Sequence, residues 1–339
     1  MEARKVQIIG GSTFIVSLPK SWATDKKLKH GDTMYILPQL DGSLMLRPEK
    51  LKDEEPRRIK KISIDSVESE HLMRELIGSY ISGYELIELS TTKRISPELR
   101  ETIREFTRAV IGPEIIDESL KKITVQDFID LTDLSLKKGV RRMYLMAKSM
   151  HTDAFTALSE RNTDLALDIS SRDAEVDRFF WLISKQFNLI LSGKDFSVKG
   201  GMDLRNSLNF FLVARIIERI GDHAAKISEN IINLKKKKIP ARTLQGIKEI
   251  NEHYLKMLDR AIEAMFNARA DEANSAIDET QTLNTLCEAS QKEILKLDSD
   301  IAISLAYIIE SMRRTGMYAT DISEIAINYI VAQVKTKKG

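Results

Sequence analysis

The chain has 339 residues, with 52 Lys and Arg against 50 Asp and Glu, a formal net charge of +2 and an apolar fraction of 42%. That length suffices for two or three domains, and the single cysteine, Cys287, excludes an intrachain disulfide or a zinc site built on several thiolates and fits a reducing cytosol. No basic leader precedes an apolar stretch with a cleavage site, and no window reaches the roughly 18 uncharged apolar residues of a spanning helix, so a cytoplasmic protein is expected.

Residues 1–50 read as a small strand-rich domain. Short strands over 3–9 and 13–18 flank Gly10-Gly11-Ser12, where glycine permits a tight turn. Pro19 opens a short helix, and strands over 33–38 and 43–47 flank Asp41-Gly42 as a hairpin. Fewer than fifty residues of short strands bury little surface alone, so pairing with a second copy is expected. Residues 1–60 hold 12 Lys or Arg against 8 Asp or Glu, so the positive balance is concentrated at the front. Arg4, Lys5, Lys20, Lys26 and Lys27 could present basic patches to DNA phosphates and base edges in a dimer. A plain dimerisation module with a solvated charged rim explains the same residues.

The charged run 51–60 reads as a linker. Residues 61–125 then alternate as a small α/β module: strand 62–64, helix 68–81, strand 84–89, helix 97–110 and two short strands near 115–117 and 121–123. It has no glycine-rich phosphate loop and no catalytic constellation, so a structural or connecting role is expected.

From about 126 to the end the period is helical, with helices near 135–162, 163–192, 202–235, 242–269, 271–298 and 299–335. Lys226-Ile227-Ser228-Glu229 is echoed by Asp321-Ile322-Ser323-Glu324, which predicts a duplicated three-helix unit, 126–240 and 241–339, in antiparallel bundles. In the first unit Asp173 and Asp177 are four apart, as are Glu218 and Asp222, with Glu229 seven further on. Each set therefore lies near one side of its helix. Like charges so spaced repel by roughly 0.2–0.5 kcal/mol per pair, and carboxylates on facing helices suit a hard cation. The competing reading leaves them on a solvated face, paired with Arg172, Arg178, Arg215 and Arg219. A di-iron oxidase would need paired Glu-x-x-His motifs from facing helices, but neither Glu218 nor Asp173 is followed by histidine three residues on, and His223 points about 100 degrees away from Asp222. In the second unit, Thr280 and Asn284 stand opposite Asp173 and Asp177, and Arg313 and Met317 opposite Glu218 and Asp222. Asp278, Asp321 and Glu324 leave at most a weak second site there.

Two resemblances extend this reading. Gly11-Ser12-Thr13-Phe14-Ile15-Val16-Ser17-Leu18-Pro19-Lys20-Ser21-Trp22, with Leu28-Lys29-His30-Gly31-Asp32, resembles the swapped-hairpin domain of the SpoVT/AbrB family, in the form common in archaea. The resemblance implies an AbrB-like β-barrel interlaced from two chains, with Arg4, Lys5, Lys20, Lys26 and Lys27 as candidate DNA contacts. Residues from about 126 to 335 resemble the PhoU family through Arg215-Ile216-Ile217-Glu218-Arg219-Ile220-Gly221-Asp222-His223-Ala224-Ala225-Lys226-Ile227-Ser228-Glu229 and the Asp173–Asp177 pair. This implies tandem three-helix units, a role in regulating phosphate uptake and a metal ion, whether iron, zinc, magnesium or manganese, on the acidic motifs. The order of the two matches archaeal phosphate uptake regulators.

The expectation is thus a multidomain protein: an AbrB-like N-terminal barrel, a central α/β module and an all-α PhoU-like half. The leading function is a homodimeric, DNA-binding regulator of phosphate uptake that acts on promoter DNA and senses phosphate status through a metal or partner. The alternative is a non-DNA accessory regulator that docks a phosphate transporter or sensor protein and uses the front domain to dimerise. No enzyme is expected.

Overall fold

The computed structural model describes residues 3–38, 42–47, 57–131, 135–192, 204–235 and 237–334, divided between two compact units, 1–57 and 58–339. The expected linker residues 51–56 lie outside the described residues.

In the first unit β1 (Gln7–Ile9) and β2 (Thr13–Ile15) form an antiparallel hairpin with Ile8 opposite Phe14. Gly10 and Gly11 take positive φ in the turn, a conformation that costs glycine little. Helix α1 (Lys20–Asp25) follows, then a second hairpin of β3 (Tyr35–Pro38) and β4 (Leu44–Arg47). Among the described residues these strands make two separate two-stranded ladders, with no barrel closed inside one chain. None of the described side chains of this unit is buried, and Phe14 is 72% exposed, with Val6, Ile8, Val16, Ile36 and Leu44 also out. Covering an apolar side chain of this size stabilises by about 1.5–3 kcal/mol, so the unit leaves its main source of stability unused within one chain.

The second unit opens with the α/β module: β5 (Ile59–Ser63), α2 (Ser69–Ile81), β6 (Leu86–Ser90), α3 (Pro97–Ala109), β7 (Pro113–Glu118) and β8 (Lys122–Asp127). The sheet order is β5-β6-β8-β7, with β5 and β6 parallel and the other pairs antiparallel. Alternation along the strands sends Ile62, Leu89, Ile123 and Val125 to a core shared with Leu72, Leu76, Ile103 and Phe106 of the helices. The other face is polar, with Glu88 bridging Lys61 and Lys122. The expected boundaries are corrected at both ends: Ile59 and Lys60 pair in β5 rather than belonging to the linker, and β8 runs on to Asp127.

The helical half comprises α4 (Leu136–Glu160), α5 (Thr163–Leu191), α6 (Leu204–Asn233), α7 (Ala241–Asn267), α8 (Ala270–Asp278), α9 (Thr280–Ile294) and α10 (Ser299–Val334). The single helix expected over 271–298 is two. The break falls at Glu279, whose carboxylate and carbonyl oxygen both meet Nε2 of His253 on α7 at 3.1 Å, which draws the turn away from a continuous ladder. The duplication is visible in packing. Gly221 lets α6 approach Val176 of α5, and Gly316 lets α10 approach Leu283 of α9. Ile227 and Ser228 are buried in the first repeat, as Ile322 and Ser323 are in the second.

The module is joined to α5. Trp181 packs against both the module core and the helical core. Lys185 forms an ion pair with Asp127, both side chains 5% exposed, and its ammonium lies 4.7 Å from the centre of the Tyr80 ring. No helix among the described residues is long and apolar enough to cross a membrane.

Candidate metal centre

Helices α5 and α6 lie against each other along their length. Ser170 and Ser228 share a hydrogen bond of 2.7 Å, and Asp173 sits over Gly221, where an added Cβ would lie 3.1 Å from Asp173 Oδ1. This close approach brings the two acid pairs to one seam. Asp173, Asp177, Glu218 and Asp222 are half-buried there, whereas Glu229 is exposed.

The carboxylates feel one another. Burial, then the charges of Asp222 and Glu218, push the Asp173 carboxyl up to about 6, against the pull of Lys226 and with a smaller push from Glu229. Burial, then Asp173, Glu218 and Asp222, push Asp177 up to about 7. Glu218 is raised by burial and Asp222, with Arg215, Arg219 and Lys226 opposing. Oxygen Oδ1 of Asp173 is buried and accepts no hydrogen bond. An ionised carboxylate with a buried oxygen lacking a donor is destabilised unless it is protonated or meets a cation.

The arginines expected to quench these acids divide. Arg172 pairs with Asp153 of α4 at 2.7 Å and with Asp168, and Arg178 pairs with Glu175 at 2.9 Å, so both are engaged elsewhere. Arg215 and Arg219 favour ionised Glu218, but Arg219 also acts on Asp321 of α10. The solvated-face reading therefore holds only at the Glu218 end. His223 turns away, with its ring 5.7 Å from Tyr318 of α10 and its basicity pushed down to about 4 by burial and by Lys226 and Arg314.

Among the described residues no group of three or more His, Cys, Asp or Glu is disposed to hold a metal ion. The seam thus gathers the charge of the acids without closing their oxygens on one point. The same holds for the weaker set: Asp278 is exposed at the end of α8, and Asp321 and Glu324 are exposed on α10. Sequence spacing gave no signal for Gly221 as the seat of Asp173 or for Asp153 as the partner of Arg172, since both depend on which helices meet.

The basic residues of the first unit, Arg4, Lys5, Lys20, Lys26 and Lys27, are all exposed. Arg4 and Lys5 precede β1, Lys20 begins α1, and Lys26 and Lys27 follow it.

Comparison with known proteins places this site in a recognised segment. Residues 140–231 match the PhoU domain. The chain is 25% identical over 185 residues, 53% of its own length and 71% of the relative's, to a phosphate-specific transport system accessory protein PhoU homolog of Pseudomonas putida. It is 29% identical over 147 residues to the corresponding homolog of Borreliella burgdorferi, covering 42% of this chain and 63% of that one. In fold it is similar to the crystal structure of PhoU from Pseudomonas aeruginosa, with a TM-score of 0.53 and 22% identity over 58% of this chain and 96% of that one. The phosphate transport system regulatory protein PhoU of Streptococcus pneumoniae gives a TM-score of 0.51 and 20% identity over 57% and 92%. The seam of acids between α5 and α6 accordingly lies within the segment that matches the PhoU domain, in a helical half similar in fold to the two solved PhoU structures.

Proposed function

We propose that the chain is an accessory regulator of phosphate transport that docks a phosphate transporter or sensor protein and pairs with a second copy through its N-terminal hairpins. The observation that carries this reading is the carboxylate seam, with its unsatisfied Asp173 oxygen, inside the segment matching the PhoU domain. Asp173, Asp177, Glu218 and Asp222 would hold the cation, with Glu229 at the margin. A donor set of carboxylates alone favours magnesium, manganese or ferric iron over zinc. Such an ion would supply the positive charge the seam lacks. Because α5 also carries Lys185, a shift of this helix reaches the α/β module through Asp127. The test is binding of the purified chain to the phosphate-transport complex of its own source, with manganese and with chelator. Binding is expected to weaken about tenfold or more on chelation and equally in the Asp173→Asn/Asp177→Asn variant. Binding indifferent to both manipulations, or no binding, sinks the reading.

A second reading, regulation by binding promoter DNA, is favoured by the exposed cations of the first unit. Phosphate contacts make affinity fall steeply with salt. Selective binding to the phosphate-transport promoter, measured across a salt series against an unrelated duplex, should be lost in an Arg4/Lys5/Lys20 triple alanine variant. It should also be lost in an Ile8→Lys/Phe14→Lys variant, which light scattering should show as a monomer. Equal, weak binding to both duplexes would remove DNA from the function and leave the first unit to assembly.

A further inference from the structure

A cleft of about 540 Å³ opens in the α/β module beyond the carboxyl ends of the parallel strands β5 and β6. Its volume lies in the range of small-molecule sites, about 300–1,000 Å³, and in open sheets ligands settle beyond the carboxyl ends of parallel strands. The partly exposed Val67 and Leu99 line it together with Lys93 and Arg94, while the side chains of Ile64 and Ile95 are buried in the module core beneath.

The cleft is built from two loops locked to each other. Asp65, after β5, accepts hydrogen bonds from Thr91 Oγ1 at 2.6 Å, Thr92 Oγ1 at 3.0 Å and the Thr92 amide at 3.1 Å. Those donors hold the Asp65 carboxyl below its ordinary range and occupy it, so the one acid of the lining is already engaged. Lys93 and Arg94 make no ion pair among the described residues. By contrast, Arg100, Arg104 and Arg108 further along α3 each pair with Glu118 or Glu101. The cleft therefore presents two cations that form no ion pair among the described residues beside one carboxylate anchored by the threonine donors, a net positive lining. Charge-assisted hydrogen bonds from lysine and arginine suit phosphate oxygens, and Val67 and Leu99 offer apolar contact to a small organic body attached to them. No aromatic ring lines the cleft to stack a base.

We propose that this cleft binds a small phosphate-bearing ligand through Lys93 and Arg94. The site is separate from the acidic seam and does not depend on the regulatory reading. Calorimetric titration of the full chain with inorganic phosphate, with glycerol phosphate and with AMP tests it. Saturable binding of one equivalent is expected, weakened about tenfold or more in the Lys93→Ala/Arg94→Ala variant and unchanged in Asp173→Asn/Asp177→Asn. Binding of phosphate as tight as that of the esters identifies the free anion as ligand, and preference for an ester identifies an organic phosphate. Both cations are exposed, so their loss should leave the thermal midpoint unchanged. No saturable binding of any of the three, or equal binding by the Lys93/Arg94 variant, overturns the proposal, as does binding lost in the Asp173/Asp177 variant instead.

Discussion

Replacing Asp127 by alanine is expected to destabilise the second unit by about 3–5 kcal/mol, because it removes the carboxylate that the Lys185 ammonium meets in a site from which water is nearly excluded. The pair is more than a surface contact. Asp127 Oδ1 also accepts the Ile129 amide at 3.0 Å, and Tyr80, whose ring faces Lys185, donates its hydroxyl to the Ile111 carbonyl at 2.9 Å. Removing one partner takes away a charge that offsets the desolvation of the other. Removing both should cost far less, since an apolar pair of similar volume often replaces a buried ion pair at little or no net cost. Asp127→Leu/Lys185→Met should therefore lie within about 2 kcal/mol of the parent chain. Urea unfolding followed by Trp181 fluorescence in a Trp22→Phe background reads this joint directly, because Trp181 packs against both cores and the chain has 2 tryptophans. A cost below about 1 kcal/mol for Asp127→Ala would show that the pair does not hold the module to α5.

Asp177→Asn should stabilise the metal-free chain near neutral pH and abolish the stabilising effect of a divalent cation. The carboxyls of Asp173 and Asp177 sit near 6 and 7 in the folded chain, above the ordinary value of 3.8. The folded state therefore binds more protons than the unfolded one between about pH 4 and pH 7, and stability falls as pH rises through that window. The penalty is complete above the folded values and absent below the unfolded one. Because the two groups are coupled and still partly in contact with solvent, a gain of about 1–2 kcal/mol at pH 8 is expected for Asp177→Asn, with little change at about pH 4. Saturating manganese should restore a similar amount to the parent chain, since a ligand that binds only the folded state stabilises it. Denaturation midpoints at the two pH values, with and without manganese, decide it. A parent chain equally stable at both, or an Asn variant with no gain, would mean that the seam is not electrostatically strained.

The sequence alone carried the local structure far. Gly10-Gly11 and the Asp41-Gly42 turn marked both front hairpins, alternation marked the strands of the module, and helical periodicity marked the long helices. These are properties of neighbouring residues along the chain. The repeat of Ile227-Ser228 in Ile322-Ser323 announced the duplication, and the spacing of Asp173, Asp177, Glu218 and Asp222 put each acid pair on one helix side before any contact was known. Periodicity tells which face of a helix is apolar, but not which face of which neighbour it meets. Only the tertiary structure sent Arg172 to Asp153 rather than to the seam, seated Asp173 on Gly221, broke the helix at Glu279 and buried Lys185 against Asp127. Each of those outcomes depends on side chains far apart in sequence reaching one place, where burial and geometry choose among several partners of the right charge.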